Sequence, residues 1–310
     1  MAPYFMKRIA VSALTLVLII SLTFFLMNAI PGSPFYNEKS TPAQIELATK
    51  KYGLDEPLII QFKNYLVGYL HGDWGTSLKM QEGTPVKEII LNQGKLANSV
   101  KLGLSAFFVT ILIGLPMGCI AAHRHGKGLD RFLRIFSTLG ISMPTFVTAT
   151  LLMLLLSTKL RLLPVVSGEL SEAKSYIMPV LTLASYYICF IAKLMRGSMI
   201  DVLNQDYIKI CYAKGCTTLH VIVKHALRNS LIPVVAYLSQ VLVGLLTGSF
   251  VVESIFFIPG LGKYYIQSIL SRDYPLIMAT TIVYAALIIS VNLVIDIVYK
   301  IIDPRIRIDK

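Results

Sequence analysis

The stretch at 9–30, "IAVSALTLVLIISLTFFLMNAI", runs for 22 residues without a charge. A helix rises about 1.5 Å per residue, so roughly 20 apolar residues cross the hydrocarbon core of a bilayer. Five more runs meet or approach that length: 102–122, 135–158, 176–192, 229–252 and 275–299. The 176–192 run is short and is lengthened by letting Lys193 snorkel toward the interface. The last run holds a single acid, Asp296, four residues before Lys300 on the same helical face, the spacing of an interfacial ion pair. The chain therefore reads as all-α and polytopic, with six spans. Its 55% apolar and 15% charged residues agree, because soluble domains carry about a quarter charged residues.

Lys7 and Arg8 before the first run resemble the basic start of a signal peptide. The run they precede exceeds the roughly 7–15 residues of a signal h-region, so it is expected to be a retained span. The net charge of +12 does not indicate nucleic-acid binding, since the basic residues lie in short segments between apolar runs. Their distribution sets direction. With the N-terminus inside, 16 basic residues fall on inner segments and five on the two short outer loops, while eight lie in the long segment 31–101. Both termini are then expected on the cytoplasmic side. The four cysteines, Cys119, Cys189, Cys211 and Cys216, have neither zinc-ligand spacing nor a disulfide pattern and read as small apolar fillers.

Residues 31–101 are too polar to span. Thr41 with Pro42 opens a short helix that Gly53 stops; a second starts near Pro57 and ends by Gly72; a third opens at Thr84 and Pro85 and closes at Gly94. Phe62, Tyr65, Tyr69 and Trp74 give these helices an apolar side suited to the membrane surface. Two roles stay open: a compact cap over the span ends, and a docking surface for an external partner.

Chemistry-bearing patterns are sparse. No phosphate-cradling G-x-x-x-x-G-K-[ST] occurs, and "GLGKYY" at 260–265 lacks the upstream glycine and the following hydroxyl. No H-E-x-x-H occurs, and His123 and His125 sit in a basic turn where solvated charge is expected. The spans lack the paired carboxylates of proton-coupled carriers. An intramembrane enzyme lacks a nucleophile–base or metal constellation, and a stand-alone carrier or channel remains the competing class.

The segment "AKGCTTLHVIVKHALRNSLIP", 213–233, differs from the apolar runs around it. Residues 206–214 form a short helix with Asp206 at its start and Lys214 at its end, matching the helix dipole. Gly215 supplies a left-handed stop, and Thr217 or Thr218 caps a second helix. On that helix Leu219, Ile222, Val223, Ala226 and Leu227 are predicted to form one apolar stripe, with His220, Lys224 and Arg228 facing away. Pro233 falls in the first turn or two of the fifth span. Two readings stay open: a knob for another protein's groove, and an amphipathic helix lying on lipid headgroups.

The stretch "DYIKICYAKGCTTLHVIVKHALRNSLIPVV" resembles the signature loop of ABC-importer permeases of the oligopeptide and dipeptide branch, the OppB/DppB type. "YGLDEP…GDWGTS", "VVESIFFIPGLGKYYIQSILSRDYP" and "VNLVIDIVYKIIDPRIR" are similar to other parts of that branch, in the same order. The general loop has Glu-Ala-Ala and then glycine; here Lys209, Ile210 and Cys211 precede Gly215.

The resemblance implies a type I ABC-importer permease fold divided into 1–30 (N-terminus and first span), 31–101 (extracytoplasmic helical segment) and 102–310 (permease core with a coupling loop at 204–228). It implies a second homologous permease, two cytoplasmic ATPase subunits holding the ATP and magnesium, and an extracytoplasmic substrate-binding protein, all at the bacterial inner membrane. No cofactor or metal is expected in this chain. Coupling to the ATPases is expected at Tyr207, Cys211, Ala213, Lys214 and Gly215. A loop facing the binding protein is expected at Glu253, Phe257, Pro259, Gly260 and Gly262, against an ordinary tight turn as the alternative. Cargo within this branch includes dipeptides, longer peptides, nickel, haem and glycosides. The G-x-x-x-G pairs Gly114/Gly118 and Gly244/Gly248 fit either packing within the chain or a subunit interface. Pro116, Pro144 and Pro179 fit kinks or a gate.

Overall fold

The computed structural model describes residues 2–31, 46–47, 49–50, 53–164, 173–247 and 250–302, with side chains from 6 to 295 of these except 173. Thr41, Pro42, Gly248 and the Asp296–Lys300 pair lie outside the residues or side chains described. Among the described residues the regular structure is helical, with one isolated antiparallel bridge between Thr76 and Pro85.

Five helices are long and apolar enough to cross a membrane: Met6–Ala29, Lys95–His123, Lys174–Leu203, Thr218–Ile255 and Tyr274–Ile295. The predicted third span is not one straight helix. Gly128–Ser142 and Thr145–Lys159 meet at a bend of 111°. Met143 there is extended, with φ −80° and ψ 126°. It precedes Pro144, whose ring disfavours the helical conformation in the residue before it.

In chain order the helices are α1 (Ala2–Ala29), α2 (Leu58–Leu70), α3 (Lys95–His123), α4 (Gly128–Ser142), α5 (Thr145–Leu152) and α6 (Ala173–Leu203). They continue as α7 (Asp206–Ala213), α8 (Thr218–His220), α9 (Leu227–Leu246), α10 (Phe250–Ile255), α11 (Leu261–Ser271) and α12 (Tyr274–Ile302). Stretches of π-helix occupy Glu88–Asn92, Met153–Lys159 and Val221–Ala226.

The described residues divide into two compact units. One takes the residues up to 98 and 259–290, and the other takes 99–258 and the end of α12.

In the first unit, Phe24 of α1 is fully buried against Phe62 and Tyr65 of α2, with ring centroids 5.3 and 5.7 Å away. Tyr274, Ile277 and Met278 of α12 complete this cluster. The aromatic side predicted to rest on the membrane is thus turned inward, because Phe62, Tyr65 and Tyr69 share one helical face that α1 and α12 cover. Burial raises the Tyr65 and Tyr69 hydroxyls far above the ordinary phenol range, so both stay neutral. The predicted stops Gly53, Gly72 and Gly94 all have positive φ, at 64°, 79° and 72°. Asp273, fully buried, accepts from Ser77 Oγ at 2.5 Å and from the N–H groups of Leu78, Lys79 and Met80, each at 3.1 Å. One carboxylate therefore organises the whole 77–80 turn.

In the second unit α6 is the hub, with Met178, Ala184, Ile191, Met195 and Met199 almost wholly buried along its length. α3 lies against it through Gly114 and Gly118. A Cβ on Gly118 would fall 2.6 Å from Ala192 O and 2.6 Å from Met195 Cβ, and one on Gly114 would fall 3.1 Å from Ile188 O. That pair packs the chain against itself. α4 is amphipathic in an inverted sense. Asp130 and Ser137 point inward, while Phe132, Ile135, Phe136 and Leu139 are exposed.

Candidate functional site: the 204–228 elbow

α6 ends at Leu203, and Gln205, with φ −71° and ψ 149°, turns the chain into α7. α7 closes with a full Schellman motif: Gly215 N donates to Tyr212 O at 2.9 Å and Cys216 N donates to Cys211 O at 3.1 Å. Gly215 has φ +81°, a conformation that costs any residue with a Cβ about 1–2 kcal/mol. Thr217 then caps α8, its side chain accepting from His220 N at 3.4 Å.

Only part of α7 is anchored. Ile208 is fully buried, and Cys211 and Cys216 are half-buried against the same core. Tyr207 is fixed at its tip, where Asn229 Nδ2 donates to its hydroxyl at 2.8 Å. The other face is open: Ile210 is 54% exposed and Tyr212 43%, beside the exposed Ala213, Lys214 and Gly215. Asp206 and Lys209 pair at 2.8 Å with both side chains largely in solvent. Of the five residues expected to couple, Ala213, Lys214, Gly215 and Tyr207 lie on the outer side, and Cys211 faces the core. Ile210 and Tyr212 were not singled out from sequence. Their signal is helical phase, since Ile208 and Cys211, three apart, define the inward side.

The second half of the elbow differs from the predicted stripe. α8 leads without a break through the π-helical Val221–Ala226 into α9, so the elbow's second arm is the beginning of the fifth span. Val221 and Ala226 are fully buried, whereas Leu219 is 72% and Val223 58% exposed. A π-helix bonds i to i+5, which brings positions five apart onto one face and breaks the i, i+3, i+4 pattern. Pro233 consequently sits well inside a continuous helix, not in its opening turns. The outward positions of His220, Lys224 and Arg228 hold.

A second polar cluster lies on the same unit. Arg196 of α6 donates from Nε to Asp130 Oδ1 at 2.6 Å and from an Nη to Oδ2 at 2.8 Å, and Gly126 N adds a third bond at 2.9 Å. His125 Nδ1 is 3.1 Å from Arg196, so the His-Arg-His turn is not wholly solvated. Among the described residues no cluster of His, Cys, Asp or Glu has metal-binding geometry.

The residues expected to face a binding protein are placed as follows. Glu253 is fully buried and accepts from Ser99 Oγ at 2.7 Å, and its carbonyl accepts from Ile258 N at 2.8 Å. Phe257 is 62% exposed at a positive φ of 55°. In the other unit, Pro259 O accepts from Asn98 Nδ2 at 3.1 Å, and Gly260 and Gly262 at the head of α11 are buried.

Apolar helices of bilayer length, joined by an ordered polar elbow at one end, define a polytopic membrane subunit. Residues 114–308 match the family described as binding-protein-dependent transport system inner membrane component, and residues 1–82 match the N-terminal region of such membrane components. The chain belongs to this family. It is 40% identical over 320 residues to the dipeptide transport system permease protein DppB of Bacillus subtilis, spanning 100% of this chain and 99% of that protein. It is 39% identical over 308 residues to the oligopeptide transport system permease protein OppB of Haemophilus influenzae, spanning 99% of this chain and 100% of that protein. Among solved structures, the inward-facing methionine ABC transporter MetNI aligns with TM-score 0.57 at 17% identity, over 69% of this chain and 96% of that one. An amino acid ABC transporter aligns with TM-score 0.50 at 14% identity, over 67% and 94%. These two likenesses establish the type I ABC-importer permease fold. The chain is a multi-pass protein of the bacterial cytoplasmic membrane.

Proposed function

We propose that this chain is the permease subunit of an ATP-driven importer of dipeptides or oligopeptides, forming the pathway with a second homologous permease. The cargo class is supported by the full-length relatives, which are named for dipeptide and oligopeptide transport. Two cytoplasmic ATPases supply the energy and hold the ATP and magnesium, and an extracytoplasmic binding protein delivers the peptide. The excess of basic residues on one set of loops supports cytoplasmic termini and a cytoplasmic elbow. Segment 31–101 and the 253–262 loop then face outward.

The observation that carries the coupling reading is the half-anchored α7. Ile208 holds it to the core, and Ile210, Tyr212, Ala213 and Lys214 present a small free face to a partner's groove. The Gly215 turn joins that face to a helix continuous from Thr218 to Leu246, so a push on α7 is passed directly to the fifth span. Closure of the ATPases moves the pathway only if they bind the two permease states unequally.

The test is uptake by the assembled importer carrying Gly215→Pro, whose ring cannot take φ +81°. Uptake is expected to be lost at a normal membrane level. Unchanged uptake, or vigorous transport by this chain alone in liposomes, removes the coupling reading.

A further inference from the structure

We infer that a groove along α6, between Phe190 and Asp201, receives the two charged ends of a short peptide in transit: Asp201 takes the ammonium and Lys193 the carboxylate. The inference rests on the peptide-importer reading above and deepens it.

The groove lies within the second unit and is lined by Ile141, Phe190, Lys193, Gly197, Ser198 and Asp201, with Pro233 of α9 at its edge. Positions 190, 193, 197 and 201 follow the helical repeat, so α6 gives the groove one continuous face. Lys193 and Asp201 are both exposed, and among the described residues neither side chain has an ion-pair partner in this chain. Two unpaired opposite charges in one groove are complementary to a ligand that is itself charged at both ends. Eight residues of helix separate them, about 12 Å along the axis. Two or three extended residues span roughly 7 to 10 Å, and the lysine stem closes the remainder. Between them α6 offers Leu194, Gly197 and Ser198, and one turn beyond Lys193 the groove ends on Phe190, which stacks on Tyr237 with centroids 4.2 Å apart. Such a surface accepts varied side chains while the end charges fix the backbone.

Gly197 marks the floor. A Cβ built on it meets nothing within 4 Å, in contrast to Gly114 and Gly118, whose neighbours would have to move. Packing within this chain therefore does not require glycine there, although glycine inside a helix costs about 1 kcal/mol relative to alanine. What its absence of side chain secures is open space in the groove. The groove is also tied to the elbow, since Ser198 Oγ donates to Ser230 O at 2.9 Å, four residues beyond the π-helical stretch.

The experiment measures uptake of labelled di- and tripeptides by the complete importer, with free ends, an acetylated N-terminus or an amidated C-terminus. Asp201→Asn is expected to shrink the preference for a free over an acetylated N-terminus roughly tenfold, and Lys193→Gln to do the same for the free over the amidated C-terminus. Gly197→Leu, which fills open space, is expected to cut uptake of every peptide while the subunits still co-purify. Uptake with all end-group ratios unchanged overturns the inference alone. Loss of the second permease from purified Gly197→Leu complexes also overturns it, by making the groove a subunit interface. Failure of the unmodified importer to take up any peptide removes the cargo reading and this inference together.

Discussion

Arg196 grips Asp130 with two short bonds from one guanidinium, at 2.6 and 2.8 Å, and the acid is only 3% exposed. The pair fastens the first turn of α4 to α6, at the end of α4 opposite the 111° break that separates it from α5. Its weight falls on the acid, which would be left buried and charged without its partner.

Arg196→Ala is therefore expected to destabilise the protein by about 3 kcal/mol. Asp130→Ala with Arg196→Ala together should cost less than the two single changes summed. Thermal unfolding of the detergent-purified protein with all three variants measures this, and additive losses would refute the coupling.

Asp273 and Ser77 give a second expectation. Asp273→Ala strips one hydroxyl and three backbone N–H groups of their acceptor, a loss of about 3 kcal/mol. Ser77→Ala removes two bonds, the one to Asp273 and the one its Oγ accepts from Gln81 N–H at 2.9 Å, and should cost about 1–2 kcal/mol. Limited proteolysis should cut the 75–83 turn faster in the first variant than in the second.

The α3–α6 approach predicts a steric effect. Gly118→Val places new atoms against Ala192 and Met195, with backbone on one side, and should cost about 1–3 kcal/mol through overpacking. A lower membrane level and a lower melting temperature are the expected readouts. A variant of normal stability would mean that α3 and α6 separate easily.

On α7 the exposed Asp206–Lys209 pair should matter little. Lys209→Ala is expected to change stability by well under 1 kcal/mol, as for other exposed pairs. Ile210→Asp and Tyr212→Asp alter only the free face, so they should leave the membrane level intact and sharply reduce uptake. Cys211→Asp, which faces the core, should lower the membrane level itself. Immunoblotting beside transport separates the two outcomes.

The helix ends in 53–94 were legible because glycine and proline act locally: Gly53, Gly72, Gly94 and Pro57 dictate backbone angles whatever surrounds them. Gly215 and Thr217 were legible for the same reason. The aromatic face of α2 was visible as a face, but sequence does not say what covers it. Lipid and the Phe24–Tyr274 cluster are equally apolar, and only the tertiary fold chooses between them.

Sequence by itself determined that this chain is a helical membrane protein with apolar runs of bilayer length and a glycine-stopped polar elbow. Those properties follow from length, charge and short-range backbone chemistry. The tertiary structure alone decided the π-helical register that buries Val221 and Ala226, the inward turn of Glu253 and the Arg196–Asp130 clasp. Each depends on which distant surface is available to pack or to pair, and residues 66 positions apart carry no local trace of meeting.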